Sequence, residues 1–323
     1  MMLPTLTAIR GKYPDAQISW ICGRIVEPLL RSVKGIDELI VLDDAKLFKG
    51  SIFERLTIII KAWIKFFNRR FDYIITGYRD SRYKLLTLTA RAGIYRSCNG
   101  KDSINSFIPG RYHALEYIKL FTGKEGSQTD KIVFPEVKLE KDPGIEQLFI
   151  QKDKSYVALT PGGANNLLHS DSLRTWPIEN YRFVAEHLTK AGYKIILLGA
   201  KSDEWASPYF EGIDVINLLG KTSIPQLMNV LRHINLLISH DTGIFHLGKL
   251  FGTRTIVLFG PVNSVERVSP NENIKVITAK VKPLCAPCYD GKNFAECKNN
   301  ICMKNIEAEY VFEEALKTLK DRQ

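Results

Sequence analysis

The 323-residue chain has no apolar run approaching the ~20 residues that a membrane span requires. Its longest stretch of that kind, LTIIIKAWIKFF from Leu56 to Phe67, is broken by Lys61 and Lys65. The N-terminus, MMLPTLTAIRGKYPD, lacks a basic patch followed by a long apolar core and a small-residue cleavage site, so it does not read as a secretory signal. Neither a P-loop lysine motif nor a G-x-G-x-x-G loop occurs, which argues against ATP or NAD as the ligand. A cytoplasmic protein is expected.

The chain has the composition of a globular protein, with 45% hydrophobic and 25% charged residues, at a length that favours two domains. Forty-five Lys and Arg stand against 35 Asp and Glu, a net charge of +10 that favours anionic partners. Charge alone does not choose among nucleic acid, phosphosugars and anionic membrane surfaces. The motifs do.

Strand and helix patterns alternate through both halves, as in an α/β fold with a parallel sheet covered on both faces. In the first half, strands are expected at 16–22, 37–42 and 72–76, and helices near 3–12, 26–32, 52–67, 83–92 and 111–122. In the second, strands at 156–159, 194–198, 215–218, 234–238 and 255–259 alternate with helices near 178–190, 224–233 and 243–251. The polar stretch 123–154 reads as the connection, which sets the domains at 1–140 and 141–323. A doubly wound domain normally opens with a strand, whereas this chain opens inside a helix. The first strand of the N-terminal domain is therefore expected to be missing, or the chain to start late.

Three polar clusters follow strands of the second half. In LTPGGANNLLHSDSLRTWP (159–177), Gly162 and Gly163 permit close backbone approach and Arg174 supplies a fixed cation. In GAKSDEW (199–205), Asp203 and Glu204 could accept from ribose hydroxyls, or simply complement a helix dipole. In SHDTG (239–243), His240, Asp241, Thr242 and the nearby His246 exceed what one helix cap needs. Helix N-termini and a guanidinium suit phosphate, and carboxylates suit sugar hydroxyls. A nucleotide sugar fits this set; no nucleic acid partner is expected.

The segment SHDTGIFHLGKLFGTRTIVLFGP resembles the signature of the glycosyltransferase family 9 heptosyltransferases. LRTWP is similar to that family's (K/R)-x-WP element, TPGGAN to its preceding phosphate-side loop, and PTLTAIRGKYPDAQISWICG to its first helix and second strand. The resemblance implies a GT-B architecture, two Rossmann-like domains facing a cleft, with acceptor bound by 1–140 and donor by 141–323. It implies inverting transfer of a heptose from ADP-heptose to the inner core of lipopolysaccharide, with no metal required. By motif position, Thr160, Gly162 and Gly163 belong to the phosphate-side loop and Arg174 binds the diphosphate. Asp241 holds heptose hydroxyls, Thr242 and Gly243 offer backbone N–H groups, and His246 braces the turn. Glu204 faces the ribose, with Asp203 as its one-residue alternative. Family members usually begin with a strand and a G-x-x-G-D loop whose Asp is the general base. Met1 corresponds to a point just after it, so the base is expected before Met1 and no catalytic residue is assigned within the chain. A non-catalytic or weakly active nucleotide-sugar binding protein is the alternative, and an epimerase a more distant one.

Cys285, Cys288, Cys297 and Cys302 are gathered in the loop 283–304 with spacings C-x2-C and C-x4-C. A structural zinc site, an iron–sulfur ligand set, disulfides and free thiols all remain open for them, while isolated Cys22 and Cys98 read as core residues. The basic pairs Lys61/Lys65 and Arg69/Arg70 form either a solvated helix face or a patch for peripheral contact with the anionic inner membrane. Among Arg79, Asp80, Arg82, Lys101 and Arg111, one or more is expected to meet acidic acceptor sugars.

Overall fold

The computed structural model describes residues 1–78, 81–98, 100, 102–149, 153–163, 172–270, 272–291 and 293–321. The chain divides into two compact units, Met1–Lys138 with Ser269–Asn271, and Leu139–Val268 with Glu272–Gln323.

In the first unit, the strands β1 (Ser19–Gly23) and β2 (Glu38–Leu42) pair in parallel, as do β3 (Arg70–Thr76) and β4 (Arg91–Ser97). Two separate two-stranded sheets result, where the sequence pattern suggests one continuous sheet. Each pair joins successive strands through intervening helix, a local event; a single sheet would also need a strand of one pair to share an edge with a strand of the other, and none of their described backbone groups do. The helix expected near 83–92 is shorter, Ser81–Leu86, because β-forming Ile94 and Tyr95 draw the segment after it into β4. The amphipathic Ile52–Phe66 helix opens with a capping box, in which Ser51 and Glu54 exchange hydrogen bonds. It buries Ile59, Ala62 and Phe66 against Ile40, Leu47 and Leu86.

The second unit is built on β5 (Tyr156–Leu159), β6 (Lys194–Leu197), β7 (Val215–Asn217), β8 (Leu236–His240), β9 (Thr255–Leu258) and β10 (Ile274–Ile277). They form one parallel sheet in the order β10-β9-β8-β5-β6-β7. The strand β10 is an addition to the five that the pattern indicates. Side chains alternate strictly between faces. Val157, Leu159, Ile195, Leu197, Leu236 and Ile238 meet the Ile178–Lys190 and Ala308–Lys320 helices, while Ala158, Ile196 and Leu237 meet the Ile224–His233 helix. The chain winds from β5 outward through β6 and β7, then returns to lay β8 on the other side of β5. That reversal makes the carboxyl ends of β5 and β8 the topological switch point, where open α/β sheets bind ligands.

Candidate functional site

All five residues of β8 are buried. At its carboxyl end Thr242, in extended conformation, caps the Gly243–Leu250 helix by accepting from Phe245 N–H at 3.3 Å. Ser239 Oγ donates to the His240 carbonyl at 2.8 Å and lies 3.2 Å from Thr242 Oγ1. Thr160 Oγ1, at the end of β5, donates to Ser239 Oγ at 2.6 Å. Buried hydroxyls therefore tie the two strand ends that flank the switch point.

Asp241 is the hub of the turn. His246 Nε2, on the same side of the following helix, lies 3.2 Å from Asp241 Oδ1. Arg174 Nη1 donates to the Asp241 carbonyl at 3.0 Å and stands 3.7 Å from Oδ2. Arg267 Nε approaches the same Oδ2 to 3.6 Å. Burial alone would raise the carboxyl's pKa, but the hydrogen bond from His246 and the charges of Arg267 and Arg174 outweigh it and hold Asp241 well below the ordinary carboxylate range. Burial pushes His246 down to about 4, so at neutral pH its ring is uncharged and donates from Nε2.

Two glycines crowd this turn. At Gly163, with φ +91°, an added Cβ would lie 2.9 Å from Thr242 Cγ2, and at Gly162 it would sit 2.3 Å from the Asp203 carboxyl carbon. Asp203 is buried and accepts from Gly163 N–H at 3.0 Å and Ala200 N–H at 2.8 Å, so it clamps the glycine loop. The neighbouring Glu204 is exposed beside Gly220. Of the two carboxylates proposed for the ribose, the one with open oxygens is therefore Glu204. Gly243 begins its helix exposed, among the first-turn N–H groups that a helix leaves unpaired within itself.

His240 is fully buried, with Nδ1 3.0 Å from Tyr181 Oη. Burial, reinforced by the Arg174 charge, lowers its pKa from 6.5 to about 3. The sign of the consequence is definite: the unfolded imidazole takes a proton near pH 6.5 while the folded one does not, so stability is level above pH 6.5 and falls on acidification. The expected slope is roughly 1.4 kcal/mol per pH unit. His246 adds less than its shift suggests, since its side chain is 28% exposed and solvent screens it. Denaturant midpoints measured from pH 7 to 5 should show this decline, and His240→Gln should remove much of it. An unchanged midpoint in the wild type would contradict the assignment.

Arg174, Asp241, Thr242, Gly243 and His246 thus come together, and Thr160, Gly162 and Gly163 adjoin them. The sequence reading missed Arg267. Its only signal is a lone cation in the loop after β9, with no motif to mark it. Residues 164–171 of the glycine loop, and Arg79, Asp80 and Lys101, lie outside the described residues. Arg82 stacks 4.2 Å from the Phe48 ring, and Arg111 lies 3.4 Å from buried Glu116 and from Glu125, so both carry structural partners.

No disulfide joins Cys285, Cys288, Cys297 and Cys302, and all four line one cavity of about 60 Å³ with Leu173 and Asn300. Among the described residues no three His, Cys, Asp or Glu side chains are arranged to hold a metal ion. Their loop nevertheless reaches the site, because Asn300 Nδ2 lies 3.2 Å from the carbonyls of both Leu173 and Thr175, on either side of Arg174. Trp176 Nε1 donates to the Ile306 carbonyl at 3.0 Å and secures the same turn. Asn300→Ala is expected to weaken binding of a diphosphate ligand severalfold, as roughly 1 kcal/mol of lost hydrogen bonding implies. Titration with ADP checks this; wild-type affinity in the variant would detach the loop from the site.

A sequence model described as glycosyltransferase family 9 (heptosyltransferase) matches residues 101–298. Lipooligosaccharide heptosyltransferase 2 of Campylobacter jejuni is 27% identical over 220 residues, which cover 65% of this chain and 65% of that protein, just under two thirds of its length. The lipopolysaccharide core heptosyltransferase OpsX of Haemophilus influenzae is 23% identical over 293 residues, covering 84% and 78% of the two chains. Among solved structures, a glycosyltransferase of family 9 from Veillonella parvula superposes with a TM-score of 0.78 at 20% identity, over 99% of this chain and 93% of that one. The E. coli ADP-heptose lps heptosyltransferase II gives 0.72 at 17% identity, over 100% and 96%. At such identities the structures speak to fold, and the fold class is the GT-B class expected from the sequence.

Proposed function

Because the chain belongs to glycosyltransferase family 9, we propose that it is an inverting glycosyltransferase moving a heptose from ADP-heptose to the inner core of lipopolysaccharide. The observation that carries this reading is the gathering of a helix N-terminus, two guanidinium groups and a buried carboxylate at one switch point. A nucleoside diphosphate sugar calls for those groups. The first-turn N–H groups and the guanidinium groups of Arg174 and Arg267 stabilise the charge that develops on the departing diphosphate. Asp241, held by His246, accepts from sugar hydroxyls, and Glu204 accepts from the ribose. The acceptor hydroxyl oxygen attacks the anomeric carbon, whose bond to the phosphate oxygen breaks with its electron pair leaving on ADP. The hydroxyl proton passes to a base. Asp241 serves the donor side, and the base is not assigned among the described residues.

The test is incubation of the full chain with ADP-heptose and a heptose-deficient lipopolysaccharide core. ADP should be released and the acceptor should gain heptose by mass spectrometry. The guanidinium pair supplies the positive charge, so the rate should be unchanged by EDTA. ADP-heptose binding without product would favour a nucleotide-sugar binding protein, and absence of ADP binding would overturn both readings.

A further inference from the structure

The Ile52–Phe66 helix buries one face and leaves another apolar face uncovered. Ile52, Leu56, Ile60 and Ile64 recur every fourth residue, so they align along one side of the helix. Phe53 and Phe67 widen that line. Their exposure is that of surface residues, 72% for Ile52, 82% for Phe53, 72% for Ile64 and 74% for Phe67. Scattered exposed hydrophobics are ordinary, but six large ones in a single stripe about 22 Å long form a contiguous patch of the kind that marks an interaction surface.

The charges around the stripe identify what covers it. Residues 46–70 carry seven Lys and Arg against a single acid, Glu54, which is itself paired with Lys46 at 3.1 Å. Lys61 and Lys65 continue round the helix beyond the apolar stripe, and exposed Lys49 and Arg70 stand just beyond its two ends. Lys65 also reaches Glu38 at 3.4 Å, which fixes it on that flank. An apolar stripe bordered by cations matches a helix lying in a bilayer interface, its hydrophobic side among acyl chains and its ammonium groups at anionic headgroups. A second copy fits poorly, since a two-fold contact would bring two strongly cationic segments face to face. No described helix is long and apolar enough to cross a membrane, so the contact is peripheral.

We infer that the exposed face of the Ile52–Phe66 helix docks the protein on anionic phospholipid membranes. The stripe belongs to the first unit and the donor groups to the second, so this inference stands or falls separately from the transfer reaction. The experiment is flotation of the full chain with vesicles of phosphatidylcholine alone, or of a two-to-one mixture with phosphatidylglycerol. The wild type should float with the anionic vesicles and far less with neutral ones, and raising salt from about 0.1 to about 0.5 M should release it. Ile60→Ser with Ile64→Ser, both on the solvent side, should lower partitioning roughly tenfold or more with an unchanged circular dichroism spectrum. Lys49→Glu with Lys61→Glu should weaken binding to anionic vesicles only. The inference is overturned if the wild type stays unbound at low salt, or if the Ile pair variant floats like wild type. It is also overturned if vesicle-free wild type sediments as a dimer that the Ile pair variant converts to monomer, since a second copy then covers the face.

Discussion

Asp241→Asn is expected to lower kcat/KM for sugar transfer by about 10²–10³-fold while leaving ADP affinity equal to or tighter than wild type. The two effects separate because the carboxylate and the diphosphate make opposite demands on the same cations. With its charge removed, the side chain no longer offsets Arg174 and Arg267, which stand 3.7 and 3.6 Å from Asp241 Oδ2. The site becomes more cationic, and a nucleoside diphosphate is held at least as well. The sugar, however, loses a charged acceptor, and the hydrogen bond from His246 at 3.2 Å weakens. Breaking a buried ionic cluster costs roughly 3–5 kcal/mol of stability, so a lower melting temperature is also expected. Rates must be compared well below the variant's transition. Transfer within threefold of wild type in the folded Asp241→Asn variant would remove Asp241 from the donor-sugar role.

Arg174→Ala and Arg267→Ala should each weaken ADP about 10- to 100-fold, the equivalent of one or two charge-assisted hydrogen bonds. The loss should be much smaller for AMP, which lacks the second phosphate. Arg174→Lys should not restore the wild type, since an ammonium cannot both bond the Asp241 carbonyl and present a planar fork to phosphate. Arg267 meets Asp241 through the carboxylate, at 3.6 Å, a contact that an ammonium also makes, so Arg267→Lys should recover part of the affinity. Calorimetric titration with ADP and AMP distinguishes the cases. Equal losses for both nucleotides would mean that the arginines support the turn rather than bind diphosphate.

The legibility of this molecule from its sequence was uneven for physical reasons. In the second unit, the strands are continuous apolar runs and the helices repeat at 3.6 residues, so the alternation is readable without tertiary information. A helix start at the Asp241–Thr242 turn is equally local, because a single side-chain acceptor there suffices to cap it, and the structure gives the cap to Thr242. Asp203 and Glu204 are adjacent acids with similar local prospects. Only packing distinguishes them, by turning Asp203 inward onto Gly163 and Ala200 and leaving Glu204 outside.

Net charge, the helix period, the strand pattern and the family signature around Asp241 were determined by the sequence itself, since each depends on residue type and spacing along the chain. The approach of Arg267 to Asp241, the brace from Asn300 to the Arg174 turn and the division of the first unit's strands into two sheets were decided by the tertiary structure. So was the exposure of the Ile52–Ile64 stripe: a helix this rich in apolar residues reads from sequence as amphipathic or largely buried, and only the placement of its neighbours leaves that apolar side open. Contacts between residues far apart in the chain arise from how finished elements pack, and no local pattern encodes which distant side chains that packing brings together.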